Sequence, residues 1–186
     1  MKPIYKIILA SFLSIILIVT IFAGYLVSNK RVLTEYVITQ INNNLNAELK
    51  IKSSDVTIFK NFPNVSLDLI GVSIVKSDTN VLNAQHVYLG FNIKDIFNKN
   101  YKIQIISIDS AIINLVVYKN GSSNFDLVKK ENQTNSANEN FLLDLEKVKL
   151  KNIDFGFNDL QSEQNYKTQI HEAEMDGKFK NDAFKL

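Results

Sequence analysis

Residues 106–115 read ISIDSAIINL, and their apolar side chains follow one another at steps of two, three, two and two residues. Residues 67–74 and 148–157 contain the same three-residue step within an otherwise alternating pattern. Alternation is typical of a strand that buries one face, and one extra residue would turn all later side chains to the other face. The spacing therefore predicts a bulge or kink at each long step, which keeps one face apolar. The three predicted positions are Ile70-Gly71, Asp109-Ser110 and Lys151-Asn152.

The apolar face of these strands has no evident cover in the sequence. Helical patterns are scarce after Asn46, and a sheet with one apolar face needs a second layer or a ligand against it. We therefore expect an apolar groove that accepts acyl chains. The expected lipid-contacting residues are Leu67, Leu69, Val72, Ile74, Ile106, Ile108, Ala111, Ile113, Leu115, Val148, Leu150, Ile153 and Phe155.

Most connections between the predicted strands are short, which predicts a long, curved antiparallel sheet rather than βαβ units. Residues 47–130 form the expected sheet domain, with a tight turn at Asn120-Gly121. Residues 131–140, ENQTNSANEN, are polar and without periodicity, so we expect a flexible loop. Residues 141–186 are expected to add further strands that belong to a longer protein.

Residues 7–29 read IILASFLSIILIVTIFAGYLVSN and contain no charged side chain. About 20 apolar residues suffice for a helix to cross a bilayer, so this segment predicts a single transmembrane anchor. A cleavable signal peptide is the main alternative, but its apolar core is usually shorter, about 7–15 residues. Residues 1–6 then form a short cytoplasmic N-terminus. Residues 30–46 predict an amphipathic helix, because Leu33, Val37, Ile41 and Leu45 recur at four-residue steps.

The charge distribution argues against a nucleic-acid-binding protein. The chain has 21 Lys and Arg residues against 19 Asp and Glu residues. Four of the basic residues, Lys2, Lys6, Lys30 and Arg31, flank the apolar segment, which leaves 17 basic residues against 19 acidic ones elsewhere. Arg31 is also the only arginine. Nucleic-acid interfaces depend on clustered basic side chains, so we expect no nucleic-acid partner.

Catalytic motifs are missing from the sequence. There are two histidines and no cysteine, and no P-loop, GxSxG, GxGxxG or HExxH pattern occurs. The cluster His171-Glu172-Ala173-Glu174 is more typical of a solvated strand or helix edge than of a metal site. We therefore expect no enzymatic activity, no cofactor and no metal.

The order of these elements resembles the N-terminal region of the AsmA family of bacterial envelope proteins. The anchor and amphipathic helix lead to 49–51 (LKI), followed by further short pieces at family-like spacing. In order, these pieces are 59–67 (FKNFPNVSL), 71–74 (GVSI), 81–84 (VLNA), 87–89 (VYL), 103–105 (IQI), 109–115 (DSAIINL) and 119–126 (KNGSSNFD).

The resemblance implies a protein of the bacterial inner membrane with its C-terminal part in the periplasm. It also implies similarity to chorein-type, bridge-like lipid-transfer proteins, which move phospholipid between membranes and support outer-membrane biogenesis. Phospholipid and the inner membrane, reached through residues 7–29, are then the expected partners. An alternative function is an anchored scaffold or assembly factor that binds other envelope proteins and transfers no lipid itself.

Overall fold

The computed structural model describes residues 3–57, 64–98, 101–129 and 143–179. Helices and strands fill most of these ranges. Within residues 3–29, side chains are described only at 11–14, 17, 21 and 24. The elements, in chain order, are α1 (Pro3–Asn44), β1 (Glu48–Thr57), β2 (Val65–Lys76), β3 (Thr79–Phe91), α2 (Ile93–Phe97), β4 (Ile103–Val117), β5 (Leu143–Asp159) and β6 (Gln164–Phe179). The protein is therefore mainly β, as the alternating patterns predicted.

The six strands form one open sheet in which spatial order follows chain order, with β1 and β6 at its edges. All neighbouring strands are antiparallel except β4 and β5, which are parallel. The prediction of a wholly antiparallel sheet is thus wrong for this pair. The reason is the connection 118–142, because a parallel pair needs a crossover of a dozen or more residues and this segment is long enough to supply it.

We name the two ends of the sheet its rims. The lower rim contains Thr57, Val65, Phe91 and Ile103, where β1 and β3 end and β2 and β4 begin. The upper rim contains the opposite strand ends, at Glu48, Lys76, Thr79, Val117, Asp159 and Gln164. The hairpin between β5 and β6 is closed by Asp159, whose carboxylate accepts hydrogen bonds from Ser162 and from the Gln161 amide. These bonds, the one from the Ser162 side chain foremost, lower the pKa of Asp159.

The predicted kinks are confirmed by the backbone. Gly71, Ser110 and Asn152 have φ values of +64°, +58° and +53°. Strand register is the same on both sides of these positions, so neither strand of a pair gains a residue over its neighbour. Gly71, Ser110 and Asn152 lie in one row of facing positions that crosses the sheet. The row consists of Lys52, Gly71, Gln85, Ser110, Asn152 and His171.

All six strands take the three-residue step together at this kink row. Ile153 on β5 pairs with Ile170 on β6, and Leu150 pairs with Ala173, so β6 repeats the spacing of β5. On β3, both Ala84 and Val87 are buried on the apolar face. Because neighbours change together, the apolar face continues across the row on every strand.

Helix α1 runs without interruption through both segments that the sequence analysis distinguished, 7–29 and 30–46, and ends at Asn44. Among the described residues, neither helix combines the length and the apolar composition that crossing a membrane requires. The anchor at 7–29 stays a prediction. The loop predicted at 131–140 lies outside the described residues.

The C-terminal part of α1 packs on the apolar face of the sheet. Leu33 and Val37 are buried, at 4% and 1% exposure, in one cluster with residues of β2, β3, β4 and β5. At the upper rim, Lys129 donates its backbone N–H to the Asn44 carbonyl at 2.9 Å, and its ammonium group binds the carbonyls of Asn42 and Asn43. The core consists of Leu33, Val37, Val65, Leu67, Leu69, Val72, Ala84, Val87, Leu89, Phe91, Ile96, Ile103, Ala111 and Ile153.

We predict that Gly71→Val lowers the free energy of unfolding by about 1–3 kcal/mol, because a β-branched residue is strained at positive φ. An added Cβ would also lie 2.9 Å from the Cβ of Lys52. Asn152→Gly is the matched control at another kink position, and we expect it to change stability by no more than about 0.5 kcal/mol. Urea unfolding of the full chain in detergent measures both. Equal stability of the two variants would contradict the role assigned to the kink.

We also predict that Leu69→Ala lowers the free energy of unfolding by about 2–5 kcal/mol, because it leaves a cavity in the core. Leu69 is 2% exposed, whereas Met175, on the same face of the sheet, is 52% exposed. Met175→Ala is therefore the control and should cost less than about 1 kcal/mol. The same urea titration measures both variants. An equal loss of unfolding free energy in the two would show that the face near β6 is as buried as the core.

Candidate functional site

The part of the apolar face that lies on β4, β5 and β6 forms a continuous apolar strip. Strand register places its side chains in five rows. Each row crosses the three strands, and the rows follow one another from the lower to the upper rim. The rows are Ile106–Val148–Met175, Ile108–Leu150–Ala173, Ala111–Ile153–Ile170, Ile113–Phe155–Thr168 and Leu115–Phe157–Tyr166. Strand geometry makes this apolar strip about 30 Å long and about 10 Å wide.

Burial within the apolar strip decreases from β4 towards the β6 edge. Ala111 and Ile153 are 4% and 1% exposed and belong to the core. Tyr166 and Met175, both on β6, are 57% and 52% exposed. Phe157 contacts Tyr166 with its ring centroid 6.4 Å away, which lines the upper end of the strip with aromatic rings. The strip is therefore continuous with the core on one side and open on the other.

The structure brings the thirteen predicted lipid-contacting residues onto one face but divides them into two groups. Five of them are buried in the core that includes α1, namely Leu67, Leu69, Val72, Ala111 and Ile153. The others are half-buried, namely Ile74, Ile106, Ile108, Ile113, Leu115, Val148, Leu150 and Phe155. All of the second group except Ile74 lies in the apolar strip, so the exposed apolar surface is narrower than the sequence predicted.

Sequence reasoning missed the contribution of β6 to this surface. Tyr166, Thr168, Ile170, Ala173 and Met175 follow steps of two, two, three and two residues. That spacing matches the pattern on β4 and β5 and was a usable signal. It is harder to see because the acidic residues of β6, among them Glu172 and Glu174, make the strand polar in composition.

The opposite face of β5 and β6 carries a ladder of ion pairs. Lys147 Nζ binds the Glu174 carboxylate and lies 3.0 Å from Asp176 Oδ1, and Lys149 Nζ lies 3.7 Å from Glu174 Oε2. Hydrogen bonds from Lys147 to Glu174 and then to Asp176 raise the pKa of the lysine. This polar face is therefore suited to water, in contrast to the apolar strip behind it.

A histidine–carboxylate pair lies on the same polar face, between β2 and β3. His86 Nδ1 is 3.0 Å from Asp68 Oδ1, and the His86 ring stacks on Tyr88 with centroids 5.5 Å apart. The predicted cluster around His171 is exposed on β6, and its Glu174 is engaged by Lys147. Within the described ranges, no three His, Asp or Glu side chains come together in a way that could hold a metal ion.

A depression of about 540 Å³ crosses β4, β5 and β6 near Gly156 and is open to solvent. Most of its lining residues lie on the polar face, and only Phe155 and Thr168 belong to the strip. The polar-face residues are Ile112, Asn114, Asp154, Gly156, Lys167 and Gln169. Gln169 Nε2 donates a hydrogen bond to Asp154 Oδ1 at 3.0 Å. This depression therefore lies mainly on the polar face and is not a pocket within the apolar strip.

Comparison with known proteins identifies the family of the chain. The model of the AsmA family matches residues 1–184, a range that includes α1 and all six strands. Searches of curated proteins and of solved structures found no match. Because the family model extends over nearly the whole sequence, the chain belongs to the AsmA family.

Proposed function

We propose that this protein is a membrane-anchored envelope protein whose apolar strip holds or conducts phospholipid between membranes, in support of outer-membrane biogenesis. The observation that carries the proposal is the open apolar strip on β4, β5 and β6, with exposed Met175 and Tyr166 along its β6 side. Membership of a bacterial envelope family is consistent with this role. In this proposal the protein is not an enzyme and uses no cofactor.

The anchor in the proposal is the N-terminal part of α1. Its segment 7–29 lacks charged residues, and a helix of that length spans about 34 Å, close to the thickness of the hydrocarbon core. The described apolar side chains in this part are exposed, with Phe12, Leu13, Leu17 and Ile21 between 57% and 64%. Exposed apolar side chains on a helix are stable in lipid but costly in water. We place residues 1–6 in the cytoplasm and the sheet in the periplasm.

The apolar strip suits a moving acyl chain better than a tightly held ligand. Its rows repeat similar aliphatic contacts over about 30 Å, so a chain shifted by one row meets nearly the same surface. Each buried methylene contributes about 0.8 kcal/mol, which favours a hydrocarbon tail on the strip over one in water. Polar headgroups would remain in solvent beyond the strip.

A second candidate is the anchored scaffold, and one specific observation favours it. The outer edge of β6 has no strand partner among the described residues, and nearly all of its residues are exposed. A long edge strand can pair with a strand of another protein. This function would depend on the backbone of β6 and not on the side chains of the apolar strip.

We predict that Ile113→Asp and Phe155→Asp each abolish lipid binding, because a carboxylate in the apolar strip is incompatible with a hydrocarbon tail. Ile112→Asp is the matched control, because Ile112 neighbours Ile113 on β4 but is 49% exposed on the polar face. The measurement is crosslinking to a photoactivatable phospholipid in membranes, with bound lipid determined by mass spectrometry after purification in detergent. Circular dichroism confirms that each variant is folded.

Crosslinking lost in the two strip variants and retained in Ile112→Asp would support lipid transfer. Crosslinking unchanged in all three folded variants would refute it. If the same variants also retained a protein partner in pull-downs, the scaffold function would be supported instead.

A further inference from the structure

The height of α1 relative to the sheet is fixed by contacts near the lower rim. Lys30 Nζ lies 2.8 Å from Asp55 Oδ1, and this pairing lowers the pKa of Asp55. One turn further along the helix, Thr34 Oγ1 lies 3.4 Å from Ser54 Oγ. Asp55 is two residues from Thr57, the last residue of β1. Lys30 is therefore about 7 Å above the lower rim.

Contacts at the C-terminal end of α1 support the same height of the helix relative to the sheet. Leu45 forms an isolated β-bridge with Val128, and the Asn46 N–H donates a hydrogen bond to the Leu127 carbonyl at 2.7 Å, beside the upper rim. From Lys30 to Asn44 the helix rises about 21 Å, which matches about 23 Å of strand between Asp55 and Glu48. The helix therefore ascends as β1 descends, and its N-terminal part points out past the lower rim.

These heights place the lower rim next to the anchor. Going down about 7 Å from Lys30 takes four or five helical residues, to the level of residues 25–26. Residues 7–25 then project about 28 Å beyond the rim, which nearly equals the hydrocarbon thickness of about 30 Å. When the anchor is inserted, the lower rim lies at the level of the lipid headgroups.

The short helix α2 lies at this rim, between the end of β3 and the start of β4. Ile96 is 4% exposed and packs in the core, whereas the next residue, Phe97, is 53% exposed. Lys94 is also exposed, whereas Asp95 and Lys102, which follows just before β4, are half-buried. An exposed aromatic residue with nearby lysines is the composition that favours an interfacial position on anionic lipid.

We propose that the lower rim is a second membrane contact, in which Phe97 of α2 enters the headgroup region and Lys94 and Lys102 meet anionic headgroups. The inference rests on the proposed function, because it requires the anchor at 7–29. It would place the first row of the apolar strip, Ile106–Val148–Met175, about 10 Å above the lipid surface. An acyl tail that leaves the inner membrane would then cross only a short distance through water before it reaches the strip.

Single tryptophans test this arrangement, since the chain contains none of its own. Phe12→Trp reports on the anchor, Phe97→Trp on the lower rim, and Phe125→Trp on the upper rim, where Phe125 is 41% exposed. The full chain is reconstituted in vesicles of phosphatidylcholine and phosphatidylglycerol, with or without brominated acyl chains. Bromine quenches indole fluorescence only at short range. We expect fluorescence to fall about twofold or more at positions 12 and 97, with little change at 125.

The outcomes separate the rim contact from the anchor. Quenching at position 12 with none at 97 would overturn the rim contact and leave the anchor in place. Equal quenching at 97 and 125 would also overturn it, because the sheet would then lie flat on the membrane. No quenching at position 12 would refute the anchor, and with it both this inference and the membrane-anchored form of the proposed function.

Discussion

The constraint on which the structure depends is that long strands keep one face apolar although their sequences break strict alternation. Without a kink at Ser110, the later residues Ala111, Ile113 and Leu115 would turn to the polar face. Fully exposing an apolar side chain costs about 1.5–3 kcal/mol each, whereas one residue at positive φ costs about 1–2 kcal/mol. The kink is therefore the less costly solution on β2, β4 and β5, which contain Gly71, Ser110 and Asn152. Neighbouring strands must take the three-residue step in the same row, because otherwise their apolar side chains would no longer lie on the same face.

A continuous apolar face then needs a cover, and α1 supplies only part of it. Leu33 and Val37 join Leu67 and Leu69 in one buried cluster, while the β6 side of the same face stays exposed. Because α1 is one helix from Pro3 to Asn44, whatever holds its N-terminal part also sets the position of the sheet. The cover and the orientation of the sheet thus depend on a single element. In the function we propose, that element also anchors the protein and brings the apolar strip to a membrane.

Much of this arrangement could be predicted from local spacing. The kinks were predictable because the three-residue step is visible in the spacing of apolar residues along each strand. Gly71 and Asn152 are also residue types that tolerate positive φ. The parallel pairing of β4 and β5 was not predictable, because no pattern in segment 118–142 indicates the direction of the strand that follows it. The burial of Leu67, Leu69 and Val72 in one core with α1 residues also escaped prediction. An amphipathic stripe shows that a helix packs on something apolar, but not which half of a sheet it covers.

The most direct test of the open, kinked apolar strip is a cysteine scan of residues 165–176 on β6, which is feasible because the chain has no cysteine. Each position carries a nitroxide in the reconstituted full chain, and its accessibility to oxygen is compared with that to a water-soluble nickel complex. Lipid contact predicts high oxygen accessibility at 166, 168, 170, 173 and 175. Unbroken alternation through 172 and 174, or water-like accessibility at every position, would contradict it.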